Sequence, residues 1–256
     1  MLGAIAGDII GSTREWASIK TVEFDLFEPR STFTDDSVLT VATADAILTQ
    51  TDFASAYKTY ARNHQGRGYG GHFAEWIQLE DSEPYNSFGN GSAMRISPVG
   101  WAFDSLDEVM KQAKASAEVT HSHPEGIKGA VATAGAIFLA RTGKSKKDIL
   151  EFVTSSIGYD LSRTLSDIRP DYEFDVTCQG SVPESIICFL ESTDYESTVR
   201  NAVSLGGDAD TMAAIAGSIA EAFYGGVPKE IEHKVWDLLD EELTSVIQKF
   251  MMRYML

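Results

Sequence analysis

The apolar residues of this chain recur mainly at helical spacing, and the long apolar–polar alternation of strands is nearly absent. Capping residues followed three positions later by an acidic residue mark helix starts, as at Ser105 with Glu108 and at Ser122 with Glu125. One short stretch, 174–177, is predicted to be extended. Pattern and caps together predict helices that begin at Thr34 or Asp35, Asp52, Ser105, Ser122, Ser145, Thr193, Asp208 and Pro228, the last continuing to about Met252.

Two predicted helices, 130–140 and 212–222, are apolar on almost every side. A helix of this kind belongs at the centre of a bundle, and the Ala and Gly residues of both let neighbouring helices approach closely. The sequence therefore predicts an all-α protein, a single-domain orthogonal helical bundle over residues 1–256. We expect the loops at one end of the bundle to carry the chemistry.

The amino-acid composition limits the kinds of binding partner and the cellular compartment that we expect. The chain has 38 acidic against 21 basic residues and a net charge of −17, so it repels nucleic acid and anionic membranes as charge-driven partners. Cys178 and Cys188 match neither a zinc spacing nor a disulfide framework. The first residues do not resemble a signal peptide, and the longest small or apolar run, 129–140, is too short for a bilayer. We expect a cytoplasmic protein.

Two short acidic clusters stand before buried helices, at Thr34-Asp35-Asp36-Ser37 and at Gly206-Gly207-Asp208-Ala209-Asp210-Thr211. A buried carboxylate is costly unless it is paired or binds a metal, and neither cluster contains Lys or Arg. If the two helix starts meet, the oxygen donors of both clusters can surround divalent cations. The clusters therefore predict a metal-dependent enzyme.

The donor atoms decide which metal is expected. Oxygen-only sites select Mg²⁺, Mn²⁺ or Ca²⁺ over zinc. Six protein oxygens suit a dinuclear site with a bridging carboxylate from Asp210 or Asp36. The alternative is that both clusters are only helix caps with acidic residues in the first turn. The predicted metal ligands are Thr34, Asp35, Asp36, Asp208, Asp210 and Thr211.

Six motifs in this chain occur in the order found in the ADP-ribosylglycohydrolase family, which the sequence resembles from Gly3 to about Gly225. The family includes the dinitrogenase-reductase-activating glycohydrolase and the ADP-ribosyl-acceptor hydrolases. The motifs are Gly3–Ser12 with Glu15, Phe33–Ser37, Gly89–Arg95, Thr120–Pro124, Gly180–Glu184 and Gly206–Thr211.

The resemblance implies an all-α fold, two Mg²⁺ ions (Mn²⁺ in some members) and metal ligands from the Thr-Asp-Asp and Asp-x-Asp-Thr motifs. It implies hydrolysis of the bond between the anomeric carbon of ADP-ribose and its acceptor, either a protein side chain or a small conjugate. Glu15 matches a glutamate on a mobile loop near the metals, His121 matches the family histidine, and Asp8 supports the ligands without binding the ions.

Individual residues can be assigned to steps of this reaction. Cleavage at ribose passes through an oxocarbenium-like state, and a nearby carboxylate acts as general base or stabilises the positive charge. Glu15 and the metal-binding Asp36 and Asp210 are the candidates for that catalytic role. The candidates for binding substrate are His121 and a glycine-rich loop formed by Gly89, Asn90, Gly91 and Ser92. The backbone N–H groups of this loop are suited to binding phosphate oxygens.

Other residues receive weaker assignments. Phe88 and Tyr69 lie on glycine-rich loops and are candidates for stacking on adenine. Arg95 is a candidate partner of Asp8. The acidic run 237–242 is predicted to be a solvated helix face.

Two other functions are compatible with the motifs: a dinuclear hydrolase that acts on nucleotide diphosphates, and a non-catalytic ADP-ribose-binding protein. The sequence leaves the acceptor linkage and the oligomeric state open.

Overall fold

The computed structural model describes residues 1–80 and 83–255, and within them the protein is built from fifteen α-helices and one π-helical segment, Phe152–Ile157, without a β-strand. The single-domain all-α fold is thereby confirmed. The helices are α1 (Leu2–Gly11), α2 (Asp35–Thr49), α3 (Phe53–Asn63), α4 (Gly71–Trp76), α5 (Gly91–Met94), α6 (Ser97–Ala102), α7 (Leu106–Glu118), α8 (Pro124–Arg141), α9 (Lys146–Glu151), α10 (Leu165–Ile168), α11 (Cys178–Leu190), α12 (Tyr195–Val203), α13 (Ala209–Tyr224), α14 (Lys229–Leu238) and α15 (Glu241–Tyr254).

The two helices predicted at the centre, α8 and α13, are buried over most of their length and pack against each other. A third buried helix, α1, was not predicted, although every one of its residues is buried. It makes the most extensive helix–helix contact in the described residues, against α13. The core is therefore formed by three central helices.

Glycines at every fourth position of α1 explain this close contact. A β-carbon on Gly7 would lie 2.1 Å from the carbonyl oxygen of Ala213, and one on Gly3 would lie 2.5 Å from that of Gly217. A β-carbon on Gly11 would lie 2.4 Å from the Cα of Asp210. Only glycine permits this approach, because residues four apart share one face of a helix. The stripe brings the C-terminal end of α1 against the start of α13.

Three predicted element boundaries are wrong in detail. His123, not Ser122, caps α8, because its ring Nδ1 accepts the backbone N–H of Glu125 at 3.1 Å. The helix predicted from Thr193 is capped by Asp194. The predicted helix from Pro228 to Met252 is two helices, α14 and α15, because Asp240 breaks it and caps α15.

The acidic run 237–242 is consequently a helix junction rather than one solvated face, and the Asp240 carboxylate contacts His64 Nε2 at 3.0 Å. In the segment 174–177, Thr177 forms an isolated bridge with Gly89 before it caps α11. No helix among residues 1–80 and 83–255 is long and apolar enough to cross a membrane.

Candidate active site

A cleft of about 330 Å³ opens where the N-termini of α2 and α13 meet the C-terminal end of α1. Both acidic clusters line it, so segments about 170 residues apart in sequence are neighbours in the fold. Glu15, from the coil that follows α1, also lines the cleft, as do the glycine-rich loop before α5 and His121.

Asp8 holds the first acidic cluster in place. Its Oδ2 accepts the backbone N–H groups of Thr34 at 2.9 Å and Ser37 at 3.1 Å, and also the Ser37 hydroxyl. Its Oδ1 accepts the Thr34 hydroxyl at 2.7 Å. The Thr34 proton therefore points at Asp8. Because the Thr34 oxygen also accepts the backbone N–H of Asp36 at 3.3 Å, one of its two lone pairs stays available to a cation. Asp8 organises the start of α2, as the resemblance implies.

Asp36 joins the two clusters. Its Oδ2 accepts the Thr211 hydroxyl at 3.2 Å, across 175 residues of sequence. Its Oδ1 is buried and has no hydrogen-bond partner among the described residues. Since a buried carboxylate oxygen normally has a partner, this atom could serve as a ligand to a cation.

The carboxylates form two overlapping groups. Oxygens of Asp8, Asp36 and Asp210 lie within 4.8 Å of one another, and so do those of Glu15, Asp208 and Asp210. Asp210 belongs to both groups, which suits a bridging ligand. In the described part of the chain, no Lys or Arg forms an ion pair with any of these carboxylates. The all-oxygen donor set and the unpartnered Asp36 oxygen fit hard divalent cations.

The electrostatics of the cluster follow from burial and crowding. Burial first, and then the negative charges of neighbouring aspartates, hold the pKa values of Asp36 and Asp210 well above the usual range. The same two causes raise the pKa of Asp35 to about 8, with Asp8 as its strongest neighbour. Burial and then Asp208 raise the pKa of Glu15 to about 7. Such shifts are typical of functional sites.

The predicted metal ligands all line the cleft. Asp35 faces it from the first turn of α2, where its backbone N–H donates to the Arg67 carbonyl at 2.9 Å. Asp35 belongs to neither of the two tight carboxylate groups.

The predicted substrate-binding residues are placed differently from one another. Gly89, Gly91 and His121 line the cleft together. The Asn90 side-chain amide donates to Asp208 at 2.7 Å, so it also holds the acidic cluster. Ser92 is fully buried outside the cleft lining and donates to the Gly126 carbonyl at 2.7 Å. Its side chain therefore fixes the loop against α8.

Three weaker assignments receive no support from the geometry. Arg95 does not pair with Asp8; it donates to the Ser116 carbonyl and the Thr120 hydroxyl. Phe88 is exposed and packs edge-on against His123, and neither it nor Tyr69 lines the cleft.

Sequence reasoning missed Tyr85, His72 and Arg67, which do line the cleft. Tyr85 lies 6.0 Å from the His121 ring and 5.9 Å from the His72 ring, between centroids. These residues stand in coil or at a helix start without a recurring pattern. The glycine-rich run 66–71 was the available signal, since it marks the loop that carries Arg67.

An all-α fold with two acidic helix starts at one cleft defines a class of hydrolase with an oxygen-lined site for cations. The ADP-ribosylglycohydrolase family model matches residues 1–255. The chain therefore belongs to the ADP-ribosylglycohydrolase family, which confirms the resemblance and the expectation of a hydrolase that acts on glycosyl bonds.

Individual relatives agree with this family. ADP-ribosylhydrolase ARH3 of Homo sapiens is 25% identical over 97% of this chain and 93% of its own length. ADP-ribosylarginine hydrolase Tri1 of Pseudomonas putida is 24% identical over 92% of this chain and 72% of its own. A solved structure of an ADP-ribosylglycohydrolase-related protein complex is similar with a TM-score of 0.74 and 22% sequence identity. The match covers 98% of this chain and 95% of the chain in that structure. That structure shows the shared fold.

Proposed function

We propose that the protein is a metal-dependent ADP-ribosyl hydrolase that cleaves the glycosidic bond between ADP-ribose and its acceptor and releases free ADP-ribose. The observation that carries the proposal is the buried oxygen cluster without a counter-charge, at the floor of a cleft that also contains a glycine-rich loop. The names of the two relatives, an ADP-ribosylhydrolase and an ADP-ribosylarginine hydrolase, support the same reaction.

Two divalent cations, Mg²⁺ or Mn²⁺, would be held by the six oxygen donors of the clusters. When bound, they supply positive charge that polarises ribose hydroxyls and lowers the pKa of water. Thr34 offers one lone pair, because its proton goes to Asp8 and its other lone pair accepts the Asp36 backbone N–H, and Asp36 offers the unpartnered Oδ1. Asp210 lies between the two carboxylate groups and suits the bridging position.

Glu15 is the proposed general base. Its half-buried carboxylate stands beside Asp208 and Asp210, so a base is present next to the position where the attacking water would be bound. The Glu15 carboxylate takes a proton of the attacking water, whose oxygen bonds to the anomeric carbon while the bond from that carbon to the acceptor breaks. The acceptor leaves with the bonding electrons, and Glu15 then passes the proton to it. Before it is protonated, the negative charge of Glu15 stabilises the oxocarbenium-like state.

The backbone of Gly89 and Gly91 and the ring of His121 line the cleft, where the diphosphate of the substrate would lie. Asn90 connects this half of the cleft to Asp208, so that the binding loop and the acidic cluster are held together. The substrate class is an ADP-ribosylated protein or small-molecule conjugate, and we expect the reaction in the cytoplasm.

A turnover panel over arginine-, serine- and acetyl-linked ADP-ribose tests the proposal. We expect Mg²⁺-dependent release of intact ADP-ribose from at least one substrate, and its loss on chelation. Asp210→Asn should lower turnover by at least about a hundredfold. Asp107→Asn, in the first turn of α7, is the matched control and should retain activity.

Other products would contradict the proposal in distinct ways. Formation of AMP and ribose phosphate would indicate a phosphoesterase acting on nucleotide diphosphates. ADP-ribose binding without turnover of any linkage would indicate a non-catalytic binding protein.

A further inference from the structure

Arg95 is a buried cation without an anionic partner. The side chain is buried at the lining of the cleft, over the ring of Tyr57 at 4.1 Å, and forms no ion pair within the described residues. Its Nη2 donates to the Ser116 carbonyl at 3.1 Å and to the Thr120 hydroxyl at 2.8 Å. Two further guanidinium nitrogens have no partner there. The proposed mechanism leaves this residue unused.

The hydrogen bond from Arg95 to Thr120 determines which atom is the donor in the hydrogen bond between Thr120 and His121. Because Arg can only donate, the Thr120 oxygen is an acceptor in this contact, and its single proton must go elsewhere. The Thr120 hydroxyl also contacts His121 Nδ1 at 2.8 Å and the phenol of Tyr85, which carries a proton of its own to donate to the Thr120 oxygen. A buried hydroxyl proton without an acceptor is costly, so Thr120 donates to Nδ1.

His121 is thereby fixed in one tautomer. A neutral imidazole that accepts at Nδ1 carries its proton on Nε2. The positive charge of Arg95 opposes protonation of the ring, and burial together with Arg95 holds the pKa of His121 well below its usual value. The ring therefore stays neutral and presents one donor, Nε2–H.

Nε2 faces the glycine-rich loop. A β-carbon on Gly91 would lie 3.1 Å from Nε2, and one on Gly89 would lie 3.6 Å away. Among the described residues, no protein group forms a hydrogen bond with this nitrogen. The open side of the loop therefore leaves the Nε2–H donor free for an oxygen atom in the cleft.

We propose that Arg95 and Thr120 are positioning residues that hold His121 as a neutral Nε2–H donor to an oxygen of the diphosphate. The identity of the acceptor rests on the proposed function, whereas the tautomer does not. A neutral donor offers this hydrogen bond at every pH between about 5 and 8, in contrast to an ordinary histidine, whose charge changes in this range.

Nitrogen-15 NMR of the histidine rings in the ligand-free protein tests the tautomer directly. We expect His121 to show an unprotonated Nδ1 and a protonated Nε2 between about pH 5 and pH 8. Loss of these signals in His121→Gln assigns them, and the exposed His72 provides an internal reference. A protonated Nδ1, or a ring that becomes cationic in this range, would overturn the proposal.

Thr120→Val tests the positioning step, because it keeps the shape and removes the hydroxyl. We expect it to mix the two tautomers, weaken ADP-ribose binding by about tenfold and raise KM with little change in kcat. Thr120→Ser should restore the single tautomer and the affinity. Wild-type affinity in a Thr120→Val protein whose tautomers are mixed would refute the proposal.

The NMR experiment and the binding experiment together distinguish a failure of this proposal from a failure of the proposed function. If wild-type protein binds no ADP-ribose, the proposed function fails, and the spectrum of the ligand-free protein still decides the tautomer. If ADP-ribose binds and the Nε2–H signal does not shift, His121 is not the donor to the ligand.

Discussion

The two sides of the acidic cluster are built in different ways. On one side, Asp8, Asp36 and Asp210 are buried at the ends of three packed helices. On the other side, Glu15 lies in a helix-free segment, 12–34, and is followed by Trp16, which is 82% exposed. The helical side carries carboxylates that we propose as ligands to the ions, whereas the coil side supplies the proposed base.

The coil side is held near Glu15 by side-chain and turn contacts rather than by helix packing. Arg14 forms an ion pair with Glu28, and its carbonyl accepts the backbone N–H of Ala17 at 3.3 Å. The Trp16 ring stacks on the exposed Phe174, with 5.3 Å between centroids. Further along the segment, Arg200 donates to the Phe24 carbonyl at 2.7 Å. Changes on the helical side should therefore alter stability, and changes on the coil side should alter turnover.

The largest expected effect is on the helical side. Gly7→Ala places a β-carbon against the Ala213 carbonyl, and a backbone atom cannot move away by changing rotamer. We expect the free energy of unfolding to fall by about 3 kcal/mol, measured by urea denaturation. Gly71→Ala is the control, because a β-carbon there meets no atom within 4 Å. Equal stability of the two variants would contradict the close helix contact.

The second prediction concerns pH and the metal-free protein. An unfolded Asp or Glu loses its proton near pH 4 or slightly above, at roughly its reference pKa. In the folded protein Glu15 and Asp35 keep theirs until about 7 and 8. The folded state then binds more protons, so the free energy of unfolding falls as pH rises through this window.

Thermal unfolding in chelator across a pH series measures this effect. Added Mg²⁺ should flatten the curve, because the ions stabilise the ionised carboxylates. A metal-free stability that increases between about pH 4 and pH 8 would show that the carboxylates are not crowded as described.

A smaller effect is expected from Asp36→Asn without metal. At a pH high enough to ionise the cluster despite its raised pKa values, the substitution removes one buried charge from a repelling cluster and should raise the free energy of unfolding by about 1–2 kcal/mol. Asp107→Asn, also in the first turn of a helix, controls for the lost interaction with the helix dipole. Destabilisation of Asp36→Asn relative to this control would argue against repulsion among the carboxylates.

The smallest expected effect is on the coil side. Trp16→Ala removes the stack on Phe174, and we expect kcat to fall about twofold to tenfold without a change in the melting temperature. Trp16→Phe should retain most of the activity. Met252→Ala, at another exposed apolar residue, should leave kcat unchanged. An unchanged kcat in Trp16→Ala would show that the stack does not position Glu15.

The sequence was sufficient to predict the all-α fold, because caps and apolar periodicity are local signals. It also predicted that the two acidic clusters meet, because neither cluster contains a basic residue to balance its buried carboxylates. It was insufficient for α1, since its stripe of glycines acts only through the backbone of α13. The break at Asp240 was hidden because the residue is equally compatible with a helix surface. Tyr85 reaches the cleft through loop geometry, which leaves no pattern.

The glycine stripe of α1 also makes the two sides of the site differ in how firmly they are held. Because the backbones of α1 and α13 touch, the spacing between Asp8 and Asp210 changes only if whole helices slide, a collective motion of microseconds to milliseconds. Glu15 belongs to a coil whose position is set by side-chain contacts such as the Arg14–Glu28 ion pair, which can break one at a time. The ions would thus meet a frame whose spacing is fixed by backbone contact, whereas the position of the base depends on contacts that a single substitution can remove.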